Sequence, residues 1–331
     1  MADIAHQMTD EMLEKLEKRI ADEYAIASRD MQKKFRKYME QFEAEDALQK
    51  KLLDAGKITE KEYSDWRFRH MMVGKRWEAM KDVLAQDLEN AQKIALKIAR
   101  EKMPDVYALN ANFAAWQIEH NAEIDAGFTL YNHDTAEYLL KDTRQLMPPP
   151  SAKKAKEIAA DEALQWEKQK IQSAVLQGIL QGESPYEIAK RLRSVAQMDY
   201  NASIRYARTM TTSAQNAGRY ESFRRAKRLG IDLTIEWQAT LDDRTRHSHR
   251  HMHGQRTTVD QPFITPDGDT IYYPADCTGE SDAPQKEIWN CRCTLLAWVK
   301  GYEHDTVKES PKMGDMSFEE WLEATPVSRK M

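Results

Sequence analysis

The sequence predicts a predominantly helical α+β chain: a long-helix amino-terminal arm, a helical segment, and a small α+β carboxyl-terminal module. Three observations carry this. Apolar residues recur every three or four positions over much of the first 230 residues, which is the spacing of a helical stripe. Gly and Pro together fill 23 of 331 positions while 31% of residues are charged, a balance that suits long solvated helices better than an all-β or disordered chain. Alternating, turn-rich sequence is concentrated after Gly230.

The first stripe runs through Leu13, Leu16, Ile20, Tyr24, Ala27, Met31, Phe35, Tyr38 and Phe42. Thr9 reads as its cap, with Asp10 and Glu11 placed well for the helix dipole, and Gly56 as its end. Such a helix holds about 40 residues and spans roughly 60 Å, so part of its stripe must meet another helix or another protein. Thr59 and Glu62 form a capping box that opens a second helix bearing Trp66. After Gly74, a third helix through Trp77, Met80, Val83, Leu84, Leu88, Ile94 and Ile98 reaches Met103, where Pro104 is expected to stop it. From Asp105 to Met147 the pattern weakens, and short helices with a small hairpin around Phe128–Tyr131 are expected. These elements make residues 1–147 a helical assembly arm. Pro148, Pro149, Pro150 and the lysines after them read as a stiff linker over 148–156.

Ala155–Gly182 carries a stripe through Ile158, Trp166, Ile171, Val175 and Ile179. Ser184 caps the next helix, with Pro185 at its first position and Glu187 closing the box, and a following helix spans about Tyr200–Gly230. Ile231–Thr240 is expected to be a strand with Ile235 and Trp237 on one face. Gln261–Ile264 and Thr270–Tyr273 read as short strands joined by the turn Asp267-Gly268-Asp269, and Thr294–Val299 as a closing strand. Residues 157–302 thus form one module, and 303–331 a polar tail anchored by Trp321.

The net charge of −5 implies no global attraction to nucleic acid, but its distribution is uneven. Residues 185–260 hold 14 Lys/Arg against 8 Asp/Glu. Within that excess, Arg224, Arg225, Lys227 and Arg228 crowd a helix carboxyl end, where cations complement the dipole, and they are the candidate contacts to DNA phosphates. No segment approaches the roughly 18 to 20 apolar residues needed to cross a bilayer. A secretory signal is not evident at the amino terminus, and three cysteines are too few for a disulfide framework, so a soluble protein of a reducing cytoplasm is expected.

Four of the nine histidines and all three cysteines fall between His247 and Cys293. Three chemistries compete for this segment. A metal-free lattice comes first: Asp242 with Arg244 and Arg246 fixing a loop, His247 and His249 adding hydrogen bonds, Asn290 setting a turn, and Cys291 and Cys293 flanking Arg292 as small buried side chains on one strand face. Gly254 is read as a turn and Cys277 as incidental. Zinc comes second, with His249, His253, Cys291 and Cys293 as candidate ligands, although C-x-C is tighter than the usual C-x-x-C. Metal-dependent catalysis on Asp242, Asp243, His247 and His249 comes last, because H-E-x-x-H, a Gly-rich phosphate loop and G-x-S-x-G are all missing from the sequence.

Several ordered blocks resemble the phage Mu F-like minor head protein family. They are L-Q-G-I-L-Q-G-E-S-P-Y-E-I-A-K-R-L at Leu176–Leu192, A-R-T-M-T-T-S-A-Q-N-A-G-R at Ala207–Arg219, W-x-A-T-L-D-x-R-T-R-H-S-H-R from Trp237, and N-C-R-C-T-L from Asn290. The amino-terminal half looks like minor head proteins from phages of Gram-positive hosts, in L-L-x-A-G-K-I-T-E-x-E-Y and G-K-R-W-E-A. The resemblance implies a portal-associated minor capsid protein of a tailed bacteriophage or prophage, acting in head morphogenesis and in DNA packaging or ejection. Its implied partners are the portal and capsid proteins and, non-specifically, packaged double-stranded DNA. Its implied place is inside the capsid near the portal, after assembly in the host cytoplasm. His249 falls at a family position, whereas His253 stands where the family is expected to carry Asp or Asn, which weighs against His253 as a ligand. No enzyme activity and no cofactor are expected, zinc being the exception held open. The alternative is a phage-borne metal-dependent nuclease or toxin-like enzyme. Family members fused to toxin domains look extended beyond the closing cysteine motif, and the 38 residues after Cys293 are too few for such a domain. A scaffolding protein is a third reading, one that leaves the His/Cys segment without a purpose.

Overall fold

The computed structural model describes residues 3–141, 160–278, 281–302 and 307–327. The Pro/Lys linker at 148–156 lies outside the described residues. In chain order the elements are α1 (Ile4–Glu40), α2 (Glu43–Asp54), α3 (Glu60–Met72), α4 (Lys75–Ala122), β1 (Ile124–Asp125), α5 (His133–Lys141), α6 (Ala160–Leu180) and α7 (Pro185–Arg228). Then follow β2 (Ile231–Gln238), α8 (His247–Met252), β3 (Arg256–Thr258), β4 (Phe263–Ile264), β5 (Thr270–Ile271), α9 (Gln285–Ile288), β6 (Thr294–Tyr302), β7 (Lys308–Glu309), α10 (Pro311–Asp315) and α11 (Phe318–Ala324). The chain is therefore α+β and mostly helical, with its strands concentrated late, as expected. No helix among the described residues is long and apolar enough to cross a membrane.

The chain divides into two compact units that interleave in sequence. Unit 1 comprises Met1–Leu16, Ile98–Leu146 and Arg205–Met331, and unit 2 comprises Glu17–Lys97 and Met147–Ile204. The helical arm expected over 1–147 contributes residues to both.

Unit 2 is helical. Met31, Phe35, Tyr38 and Phe42 from α1 join Met71, Trp77, Leu84, Leu88, Ile171, Val175, Ile179, Ile188 and Leu192 in one apolar core. The expected single long helix is instead two, because the backbone breaks after Glu40 and restarts at Glu43. Phe42 sits at that break and is buried against Tyr38, their rings edge to face at 5.5 Å. The Thr59 capping box is formed in both directions, Thr59 Oγ1 accepting from Glu62 N–H while Glu62 accepts from Thr59 N–H. At α7, Ser184 Oγ accepts from the Glu187 N–H at 3.3 Å, as its sequence predicts.

Unit 1 departs further from the sequence expectation. α1 begins at Ile4, capped by Asp3, whose carboxylate accepts the His6 N–H at 2.9 Å; Thr9 lies inside the helix, buried and bonded to Ala5 O. Helix α4 does not stop at Pro104 but runs through it to Ala122. An interior proline costs about 3 kcal/mol of helix stability. Burial of Met103 and Val106 beside it returns roughly 1.5–3 kcal/mol for each side chain, so packing outweighs the local penalty. Ser184 likewise opens one helix, not two, since α7 continues unbroken to Arg228. The small hairpin expected near Phe128–Tyr131 is absent among the described residues. Instead β1 pairs antiparallel with β7, and Leu130 forms a parallel bridge to Val327.

The carboxyl-terminal module of unit 1 is a three-stranded antiparallel sheet in the order β3-β2-β6, with a bulge between Asp232 and Leu233. Ile231, Leu233, Ile235 and Trp237 are the buried face of β2, the period-2 pattern of a half-buried strand. The hairpin β4–β5 turns at Gly268, whose φ of +93° admits glycine readily. The stretch expected to be a polar tail adds Phe318 and Trp321 to the core: Phe318 packs edge-on against Phe113 at 5.2 Å, and the Trp321 indole donates to Glu119 at 2.6 Å.

Candidate functional site

The site forms where the loop after β2, the short helix α8 and the lead-in to β6 meet a polar row on α7. That row follows from sequence spacing. Thr209, Thr212, Asn216 and Arg219 lie three or four residues apart, so they share one face of the helix. The chain they face carries backbone groups that β6 does not pair. Thr212 Oγ1 donates to Cys291 O at 2.7 Å, Asn216 Nδ2 to Cys293 O at 3.0 Å, and Arg219 Nη1 to Leu295 O at 3.2 Å. Thr209 Oγ1 accepts the N–H of Asn290 at 3.0 Å. Asn290 itself has a φ of +53°, the left-handed turn that its residue type tolerates. One helix face thus reads the backbone of the C-x-C segment residue by residue.

Arg219 is the centre of this row. It is 0% exposed, and its other nitrogens donate to Asn110 Oδ1 at 3.1 Å and Asp3 Oδ1 at 2.7 Å. Burial alone would raise the Asp3 carboxyl, but the Arg219 hydrogen bond and charge hold it below the usual carboxylate range. Asn110 also donates to Thr9 Oγ1 at 2.8 Å. Two further side chains of α7 anchor the same unit: Tyr220 donates to Val259 O at 2.6 Å and Ser222 to Ala111 O at 2.7 Å.

The loop between β2 and α8 is fixed from the other side. Arg292 grips the Asp242 carboxylate with two bonds of 2.6 Å, the planar fork matching the two oxygens. That pairing, helped by the Arg244 N–H at 2.9 Å, holds Asp242 far below the usual carboxylate range. Arg246 donates to Trp289 O, Arg250 to Asp242 O, and Thr240 Oγ1 to Arg292 O at 2.8 Å. The expected partners of Asp242 were the Arg244 and Arg246 side chains. Arg244 is exposed with its guanidinium 3.8 Å away, and Arg246 serves Trp289 instead.

Within this frame lie His249, Cys291 and Cys293, exposed by 2%, 1% and 3%. Their ligand atoms all fall within 4.8 Å of one another. His249 Nδ1 stands 3.2 Å from Cys293 Sγ and 3.7 Å from Cys291 Sγ. Its Nε2 faces Glu287 Oε2 at 3.1 Å, and that same oxygen accepts from Ser248 Oγ at 2.7 Å. Burial works to raise the Cys291 thiol, yet hydrogen bonds from Cys293 and His249 outweigh it and hold Cys291 well below the ordinary thiol value. Cys293 is driven the opposite way, by its bond to Cys291 and by burial.

Other expected site residues fall elsewhere. His253 is the residue after α8, not a member of it, and its Nδ1 accepts the Ala239 N–H at 3.2 Å. It therefore faces the backbone of β2's exit and not the sulfurs. His247 is exposed and meets only the His251 ring, centroids 4.6 Å apart, among its described ring contacts. Cys291 and Cys293 share a buried side as expected but precede the strand, which begins at Thr294. Cys277 lies apart, bonded to Ala275 O at 3.1 Å, and burial pushes its thiol up to about 12. Gly254 adopts a φ of +79°, the turn its sequence predicts. Glu287, Thr209, Thr212, Asn216 and Arg219 were missed as site residues. For the four on α7 the detectable signal was a row of polar residues at helical spacing; Glu287 offered none.

The candidate DNA contacts are mostly engaged within the fold. Arg225 donates to Thr129 and lies over the Phe128 ring at 5.3 Å; Lys227 pairs with Asp260 and Arg228 with Glu221. Arg224 is exposed.

A buried, bonded clamp of this kind defines a structural module and not an open cleft. Residues 169–296, which span the α7 row, the loop, α8 and the C-x-C segment, match the family described as Phage Mu protein F like protein. Among curated relatives, the Minor head protein GP7 of Bacillus phage SPP1 is 26% identical over 231 residues, 68% of this chain and 69% of that protein. The NAD(+)--arginine ADP-ribosyltransferase EFV of Enterococcus faecalis is 30% identical over 156 residues, which are 46% of this chain but 31% of the relative. An uncharacterized protein of Haemophilus influenzae is 27% identical over 142 residues, 27% of its length. The chain thus spans less than a third of two of these three relatives. No solved structure matches it.

Proposed function

We infer that this chain is a minor head protein of a tailed bacteriophage or prophage, a component of the virion with a structural role beside the portal. The observation that carries the inference is the correspondence of two sequence blocks to one physical unit. The Ala207–Arg219 block supplies the clamp, the Asn290–Leu295 block is the clamped backbone, and both lie inside the segment that matches the Mu F-like family. Similarity to the SPP1 minor head protein extends over more than two thirds of both chains and supports the same reading. Its partners on this reading are the portal and capsid proteins. Packaged DNA is a non-specific neighbour, met through exposed cations such as Arg224, and that contact weakens as salt rises.

Absence of turnover belongs to the same proposal. A cysteine nucleophile must be reached by its substrate, and Cys291 and Cys293 are closed off; the Asp242 carboxylate is held by Arg292 and not by a metal-binding arrangement. A second reading comes from the enterococcal relative, whose name denotes transfer of ADP-ribose from NAD to arginine. Incubation of the purified chain with NAD and an arginine acceptor is expected to yield no ADP-ribosylated product. The test of the first reading is co-purification with the portal protein of the same phage and detection in finished particles by immunoblot. Particles that contain the portal but lack this chain would sink it.

A further inference from the structure

We propose that His249, Cys291 and Cys293 bind a single zinc ion, with Glu287 as the outer carboxylate that orients the histidine. The proposal is independent of the head-protein reading and rests on distances. Zinc lies about 2.0–2.1 Å from a histidine nitrogen and about 2.3 Å from a thiolate, so a tetrahedral shell places N and S about 3.5 Å apart. The observed separations from His249 Nδ1 are 3.2 and 3.7 Å, on either side of that edge, and one nitrogen faces both sulfurs. This convergence explains the tight C-x-C spacing: residues two apart in an extended lead-in present their sulfurs to the same side.

The second ring nitrogen supplies an independent observation. Metal-bound histidines usually donate the N–H of their free nitrogen to a carboxylate, which fixes tautomer and ring orientation. His249 Nε2 lies 3.1 Å from Glu287 Oε2, with both side chains buried. Nε2 is a buried polar atom without a hydrogen-bond partner among the described residues, and the Glu287 carboxylate is the anionic group beside it. Glu287 is itself positioned by Ser248 at 2.7 Å and approached by Lys286 at 3.9 Å.

Charge points the same way. A divalent ion bound here would displace the thiol protons and balance the two thiolates it creates, in a site whose three side chains are almost fully buried. His253 is excluded, since its Nδ1 is already occupied by the Ala239 N–H. The zinc set is thus a trio with an outer carboxylate, in place of the four-ligand set expected from the sequence.

The test uses the full chain, purified from zinc-supplemented cells and dialysed, with metal content measured by mass spectrometry. About one zinc per chain is expected, and less than about a tenth would overturn the proposal. Cobalt(II) added to chelator-treated protein should give thiolate-to-cobalt charge-transfer absorption with the strong visible bands of a tetrahedral ion. A spectrum without thiolate bands would overturn it as well. Because Cys291→Ser or Cys293→Ser can fail to fold, the cobalt titration of the unaltered chain stands by itself. Glu287→Gln should weaken zinc binding about 10- to 100-fold in a competition titration while preserving stoichiometry. His253→Ala and Cys277→Ser should keep full zinc content, and loss of the ion from His253→Ala would refute the assigned ligand set.

Discussion

The two units bury polar groups in different ways. In unit 2 the buried charges meet one another: the Lys170 ammonium lies 2.8 Å from Glu167 and 2.5 Å from Asp199 on neighbouring helices. In unit 1 buried polar side chains also meet backbone, as Thr212, Asn216, Arg219 and Tyr220 each donate to a carbonyl of a strand edge or loop. The difference follows from secondary structure. Helices satisfy most of their own main-chain groups, so charged side chains between them pair chiefly among themselves. A module with short strands and long loops leaves carbonyls that only side chains can reach. Contacts between side chains can adjust to a change, whereas contacts to fixed backbone cannot, and unit 1 should be the less tolerant of the two.

Gly218 and Gly178 test that contrast with one chemical change. A Cβ at Gly218 in α7 would lie 2.4 Å from Tyr107 O and 3.1 Å from Ala111 N, both backbone atoms of α4. Gly218→Ala should therefore force the helices apart and lower stability by about 3 kcal/mol or more, read as a fall in the urea midpoint. Arg219→Ala should be comparable, about 3–5 kcal/mol, because it strands a largely buried carboxylate and two acceptors. A mild effect from both would dissolve the comparison.

Thr212→Val is a narrower probe. It keeps the shape and deletes one donor, leaving Cys291 O without it, at a cost of about 1–3 kcal/mol. If a metal ion holds the C-x-C segment, the loss should be greater in chelator than in zinc, since a bound ion constrains the same backbone.

For unit 2 the sharper handle is pH. Burial and the charge of Asp199 raise the Glu167 carboxyl from 4.5 to about 8, against the attraction of Lys170. Between those values the folded chain keeps a proton that the unfolded chain releases, so this group's contribution to stability falls as pH rises from about 4.5 to 8. Glu167→Gln should flatten that part of the pH dependence measured by urea midpoints, and an unchanged slope would refute the assignment. Asp3 has the opposite sign: its lowered carboxyl favours the fold above its ordinary value of 3.8, and that contribution is lost as pH falls below it.

Gly178→Ala should have the smallest effect. Its Cβ would meet Ile188 Cγ1 at 2.6 Å and Glu183 Oε2 at 2.9 Å, side-chain atoms of a buried core residue and of a carboxylate held by Arg191, whereas Gly218 meets backbone. Overpacking of about 1–3 kcal/mol, offset by the gain of about 1 kcal/mol that alanine brings to a helix interior, should leave a loss smaller than at Gly218.

What the sequence disclosed sorts by range. Features set by neighbours were legible: the Thr59 capping box, the buried face of β2 through Ile235 and Trp237, and the glycine turns at Gly254 and Gly268. Features decided by distant packing were not. Pro104 reads as a helix stop because proline lacks an N–H, and nothing nearby reveals that Met103 and Val106 will be buried strongly enough to carry α4 past it. The main partner of Asp242 was missed for the same reason: Arg244, which pairs with it at 3.8 Å, and Arg246, which does not, are near in sequence, while Arg292 arrives from 50 residues away. His249 and His253 share a helical spacing, but α8 ends at Met252, so the second histidine turns off the first one's face. Glu287 was invisible, one acid among many until the fold brings it to His249.

The insertion of Asp3 and Thr9 beside Arg219 and Asn110 has a consequence for how this protein is made. A ribosome releases Asp3 and Thr9 long before it translates the C-x-C segment or Trp321, so unit 1 cannot close until those later segments have emerged. An excised piece holding only residues 169–296 would keep Arg219 while losing both acceptors of its other nitrogens. Recombinant work on the matching segment alone should therefore meet aggregation that the 331-residue chain avoids.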